Sequence, residues 1–65
     1  MARFQIFRDA SGEYRWRLRA GNNQVIATSG EGYKALADCE HGIELVKRDG
    51  PSATVDHQEY AGQTV

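Results

Sequence analysis

The sequence predicts an α+β fold: a β-β-β-α-β unit in which an antiparallel sheet carries one helix on one face. Two periodicities carry this prediction. Residues 13–20 alternate without a break, with Tyr14, Trp16, Leu18 and Ala20 on one side and Glu13, Arg15, Arg17 and Arg19 on the other. That is the period of a strand with one buried and one wet face. Farther on, Leu36, Cys39, Ile43 and Val46 recur at i, i+3, i+7 and i+10, which is one stripe of a helix.

The elements follow in order. Residues 3–8 read as a first strand, with Phe4 and Ile6 on one face and Gln5 and Phe7 on the other. Residues 9–12 form a compact hairpin loop in which Gly12 is free to take a positive φ. The alternating run is the second strand. Residues 21–24 contain Gly21, Asn22 and Asn23 and form the next turn, because Gly and Asn tolerate left-handed backbone. Residues 25–28 are short and β-branched, as a third strand requires. Helical periodicity starts at about Ala35. Gly42 lies beside the helical stripe, where it costs about 1 kcal/mol against Ala, so the backbone is expected to approach the sheet closely there. Tyr33 is expected to anchor the start of the helix. Asp38 and Glu40 early, and Lys47 and Arg48 late, suit the helix dipole, and Glu44 stands at pairing distance from Lys47 and Arg48. Gly50 is the expected left-handed cap, and Pro51 bars continuation. Ala53 to Asp56 read as a brief fourth strand. Residues 1–56 thus form a single domain, and residues 57–65 a tail expected to be partly disordered.

A chain of 65 residues buries only about 60% of the surface its unfolded form exposes. Small scaffolds of this kind need a disulfide, a metal or a partner chain. Cys39 is the single cysteine, so no intrachain disulfide forms. Cys39, His41, Asp56 and His57 do not have the spacing of a zinc site. Size alone therefore leads us to expect a homodimer. No segment approaches the roughly 20 apolar residues of a membrane span, the N-terminal residues lack the apolar stretch of a signal peptide, and a lone thiol suits a reducing compartment. The expected location is the cytoplasm, with no membrane partner.

Charge is balanced overall, with formal net −1, but unevenly placed. Residues 1–20 carry five arginines against two acids, and residues 21–65 carry two lysines and one arginine against seven acids. Arg15, Arg17 and Arg19 project from one sheet face at intervals of about 6.6–7 Å. Guanidinium groups bind phosphate and carboxylate bidentately, and Phe7 on the same face would add an aromatic platform. Long charged side chains also keep exposed sheets soluble, with acids such as Glu13 available to pair with them.

Catalytic chemistry finds no footing in these residues. Cys39 sits on the apolar stripe, and His41, two positions on, lies on a different side of the helix, so the pair does not make a nucleophile and base. Gly30 and Gly32 precede a helix as in a phosphate loop, but Glu31 between them would repel an anion. The expectation is a non-enzyme with no catalytic residues, no cofactor and no metal.

The blocks at residues 4–9, 12–20, 22–29, 32–33, 39–43 and 46–47, in this order and spacing, resemble the YegP-like family of small bacterial and archaeal proteins. The resemblance spans residues 3–56. It implies β-β-β-α-β units that occur in pairs, as tandem repeats or as two subunits, forming one continuous sheet by exchange of their C-terminal strands. A single unit would then be a strand-swapped homodimer that exchanges residues 53–56. Two positions depart from the family pattern. Lys34 follows Tyr33 where the family commonly has a capping Ser or Thr, and His41 precedes Gly42 where it commonly has Asn.

The function read from the sequence is that of a small non-catalytic interaction protein, a homodimer presenting an arginine-bearing sheet face. The alternative is binding of nucleic acid or another anionic ligand through Arg15, Arg17 and Arg19.

Overall fold

A computed structural model describes residues 1–58. Three strands, β1 (Arg3–Arg8), β2 (Tyr14–Arg19) and β3 (Val25–Thr28), are followed by one helix, α1 (Leu36–Asp49), and a single 3-10 turn at Gly50–Ser52. The strands form an antiparallel meander in the order β1-β2-β3. These are the three strands and the helix read from the sequence. Gly12 takes φ +84° in the first loop. In the second turn the left-handed residue is Asn23, at φ +74°.

Register sorts the side chains. β1 sets Phe4 opposite Leu18, Ile6 opposite Trp16 and Arg8 opposite Tyr14, so these six share the face that α1 covers. The intervening pairs, Arg3 with Arg19, Gln5 with Arg17 and Phe7 with Arg15, share the other. β3 sets Thr28 opposite Arg17 and Ala27 opposite Leu18, and an irregularity at Leu18/Arg19 then brings Val25 opposite Arg19. At the far end, Tyr33 extends the pairing of β2 through a two-way backbone bridge with Tyr14, at 2.7 and 2.8 Å. This bridge is how Tyr33 anchors the chain before α1.

The core centres on Trp16 and Cys39, the two buried apolar residues among those described. The Trp16 ring stands edge-on to Phe4, with centroids 5.4 Å apart. α1 crosses β2 at Gly42. A Cβ there would lie 2.8 Å from the Tyr33 hydroxyl oxygen and 3.4 Å from Trp16 Nε1, so glycine is what lets the helix settle onto the sheet. Coverage is incomplete. Ile6 on the covered face, and Leu36 and Val46 on the helical stripe, stay 37–42% exposed. Full burial of such a side chain is worth about 1.5–3 kcal/mol, so this face is far from saturated.

Several details depart from the sequence reading. Gly50 is right-handed, at φ −58° and ψ −44°, and its N–H donates to the Val46 carbonyl. Proline disfavours right-handed backbone in the residue before it through a clash that involves that residue's Cβ. Glycine lacks the Cβ, so the chain turns on into the 3-10 segment with Pro51 in its first turn. The helix starts at Leu36 behind Ala35, which offers no side-chain cap. Arg48 pairs with its neighbour Asp49, at 2.9 Å, rather than with Glu44. Residues 53–58 form no strand within the chain. Ala53 is extended, at φ −67° and ψ 137°, but strand hydrogen bonds need a neighbour, and this segment has none among the described residues. The tail expected at 57–65 lies outside the described residues beyond position 58.

Candidate functional site

The face opposite α1 is built from the central strand outward. Arg15, Arg17 and Arg19 of β2 all lie on it, half-buried, and β1 adds Arg3, Gln5 and Phe7. The three β2 arginines are engaged differently.

Arg15 is neutralised. Its Nε donates to Asp9 Oδ2 at 2.6 Å. The other carboxylate oxygen of Asp9 accepts from the Ser11 hydroxyl at 2.6 Å, the Ser11 N–H at 2.9 Å and the Glu13 N–H at 3.0 Å. The Ser11 hydroxyl and then the Arg15 guanidinium hold the Asp9 carboxyl well below the usual carboxylate range. Asp9 thus closes the β1–β2 loop and fixes Arg15 in one stroke. Glu13, read from the sequence as one acid available to the arginines, instead has its carboxylate over Gly32. An Asp followed two positions later by Ser is the available sequence signal, because Asp bonds backbone N–H groups just ahead of it.

Arg17 has no carboxylate or hydrogen-bond partner among the described residues. Its guanidinium carbon lies 3.9 Å from the centroid of the Phe7 ring, a cation–π contact. Phe7 is therefore on the arginine face as register requires, but its ring is covered by Arg17 rather than open. Arg19 donates from Nε to Gln5 Oε1 at 2.6 Å and from Nη1 to the Asn23 carbonyl at 2.7 Å. Arg3 reaches Asn23 Oδ1 at 2.8 Å. The face is a set of guanidinium groups braced by amides, a carbonyl and one ring, with a single carboxylate at one end.

The remaining candidates lie elsewhere. Cys39 is fully buried, and burial first, then the Glu40 carboxylate, pushes its thiol pKa up. A buried thiol with a raised pKa is a poor nucleophile. His41 is exposed on α1 and lines a cleft of about 380 Å3 with Glu31, Tyr33, Asp38, Gly42 and Leu45. Among the described residues, no three or more His, Cys, Asp and Glu side chains are placed to hold a metal ion. None of the helices described is long and apolar enough to cross a membrane. Sequence reasoning missed Ser29, which is buried and completes the pairing of β2 beyond the end of β3. A lone Ser after a strand gives no such signal.

This architecture, a three-stranded antiparallel meander followed by one helix, defines a small α+β unit with one polar and one helix-covered sheet face. The chain belongs to the DUF1508 family, described as a domain of unknown function, whose model matches residues 9–56. It is 52% identical over 44 residues to a UPF0339 protein of Neisseria meningitidis serogroup B, covering 68% of this chain and 77% of that one. A UPF0339 protein of Stutzerimonas stutzeri is 48% identical over 48 residues, which are 74% of this chain and 42% of that protein. The solution structure of a protein from Haloferax volcanii superposes with a TM-score of 0.82 at 46% identity, covering 88% of this chain and 95% of that one.

Proposed function

We propose that this protein is a non-catalytic binding protein that acts as a homodimer and presents its arginine-bearing sheet face to a partner. The observation that carries the reading is the unfinished core. Trp16 and Cys39 alone are buried among the described apolar residues, while Ile6, Leu36 and Val46 are more than a third exposed and Val55 is 93% exposed. A second copy supplies what a single chain of this size lacks. Residues 53–56 are exposed and pair with no strand among the described residues, Thr54 and Val55 are β-branched, and the sheet has an open edge at β1 and another at β3. Exchange of this segment would add a fourth strand to the partner's sheet and give Val55 a place in its core. The Stutzerimonas relative, of which this chain matches well under half, is long enough to hold two such units.

In this assembly the helices cover one side, and the arginine faces of the two protomers stand on the other. Mixing labelled and unlabelled protein in an NMR sample tests the exchange. The reading expects contacts between Val55 of one protomer and the sheet of its partner, and contacts confined to single chains would refute it.

A second reading, that the face takes an anionic ligand, is favoured by Arg17, whose charge meets no carboxylate among the described residues. Charge reversal at Arg17 is expected to abolish anion binding and leave the dimer intact.

A further inference from the structure

We propose that the arginine face binds single-stranded nucleic acid, with Arg17 at the centre of the site, Gln5, Arg19 and Thr28 around it, and Arg15 held out of it by Asp9. This inference rests on the anionic-ligand reading and narrows it to one class of ligand and one set of residues.

The hydrogen-bonding inventory points there first. Arg17 lies on the central strand between Gln5 on β1 and Thr28 on β3. Its guanidinium carries five N–H donors, none of them used within the described residues. The Gln5 amide is oriented by Arg19, which donates to Gln5 Oε1. Arginine has only donors to offer, so the oxygen must face Arg19, and the amide nitrogen keeps its two donors for another partner. Arg19 spends Nε on Gln5 and Nη1 on the Asn23 carbonyl, and its Nη2 remains. The Thr28 hydroxyl makes no side-chain hydrogen bond among the described residues. The centre of the face therefore offers donors without a facing carboxylate, which suits phosphate oxygens.

Geometry then selects a strand with exposed bases over a duplex. The Arg17 guanidinium carbon lies over the Phe7 ring, 3.9 Å from its centroid, so the ring holds the group from one side, and a base would stack on it from the other. Arg17 and Arg19 are two residues apart on one strand, about 6.6–7 Å, a spacing that follows successive phosphates of an extended strand. Among the described residues the α-helix lies on the opposite side of this sheet, so it is not available to enter a duplex groove. A sheet with stacking groups and flanking cations suits single strands.

The test is fluorescence anisotropy of a labelled twelve-nucleotide single-stranded oligonucleotide with the whole chain, titrated at several salt concentrations. Polyglutamate and inorganic phosphate serve as competitors, and a duplex of the same length as the alternative probe. The proposal expects binding at low salt that weakens with a log–log slope of about −1.4 per protomer for two phosphate contacts. R17Q lowers affinity about tenfold or more. R17K, which keeps the charge but loses the stacked plane, lies between R17Q and the unchanged chain. R15Q stays within about twofold of the unchanged chain. NMR fingerprint spectra of each variant confirm that it is folded.

If no anionic probe binds at low salt, the anionic-ligand reading itself fails. If the oligonucleotide binds but R15Q weakens it as much as R17Q does, that reading survives and the Arg17-centred site is overturned. Equal competition by polyglutamate or inorganic phosphate, or preference for the duplex, overturns the choice of single-stranded nucleic acid.

Discussion

Ser29 and Trp16 exchange two hydrogen bonds beyond the end of β3: the Ser29 N–H donates to the Trp16 carbonyl at 2.9 Å, and the Ser29 hydroxyl oxygen accepts from the Trp16 N–H at 3.3 Å. The same hydroxyl donates to the Glu31 carbonyl at 3.1 Å. One side chain thus stands in for the missing continuation of the strand and fixes the loop that leads to Tyr33. Trp16 is the centre of the core, so its backbone donor has no water to turn to.

S29A removes the acceptor and leaves that donor buried and unpaired. Such a loss costs about 1–3 kcal/mol. The expected result is a lower urea midpoint with an unchanged denaturant slope. Stability equal to that of the unchanged chain would mean that the Ser29 hydroxyl contributes nothing to the fold.

Alanine at position 42 is the second case. Gly→Ala inside a helix normally gains about 1 kcal/mol, but here the new Cβ meets the Tyr33 hydroxyl oxygen at 2.8 Å. Overpacking costs about 1–3 kcal/mol, so G42A is expected to destabilise. Y33F removes the atom in closest contact, and the double variant G42A/Y33F should recover part of the loss. A double-mutant cycle by denaturation reads this coupling directly. Additive effects would place the contact elsewhere.

Acid sensitivity follows from Asp9. Its folded pKa is depressed, so in the range below about 3.9, the ordinary aspartate value, the unfolded chain takes up a proton that the folded chain refuses. The unfolded state then binds more protons, and stability rises with pH. The Asp9 contribution is complete above about pH 4 and is lost as pH falls further toward the folded pKa. D9N is expected to lower Tm at neutral pH and to flatten its fall between about pH 4 and pH 2. Asp49, also lowered by its neighbour Arg48, keeps the residual slope from vanishing. An acid limb unchanged by D9N would remove Asp9 from this role.

Cys39 gives a chemical check on the packing of α1. Its exposure is 0%, and both burial and Glu40 disfavour the thiolate. A disulfide reagent at neutral pH should react only as fast as the protein opens, with the full rate restored in denaturant. Rapid labelling of the folded protein would contradict the placement of the helix.

The parts of this fold that were legible in the sequence are those set by periodicity. Alternation around Trp16 gives β2 and sorts its two faces, and the stripe through Cys39 gives the helix and the face it buries. Gly12 was legible too, because a tight loop needs its positive φ. Pairing partners were not. Asp9 and Glu13 both flank the arginines in sequence, and only the loop geometry decides that Asp9 turns inward to Arg15 while Glu13 lies over Gly32. Gly50 misled because glycine before proline permits the right-handed turn as readily as the left-handed cap. The arginine face was visible as a row of like charges. What distinguishes Arg17 from Arg15 on that row is a ring across the sheet in one case and a loop carboxylate in the other, and neither is encoded in the row itself.

Whether a second copy completes the core is read most directly from solution mass by size exclusion with light scattering, from high to low micromolar concentration. Twice the 7.2 kDa chain mass is expected throughout that range. A folded particle of 7.2 kDa with a native-like spectrum would contradict it, because Ile6, Leu36, Val46 and Val55 would then have to stay exposed in a stable protein.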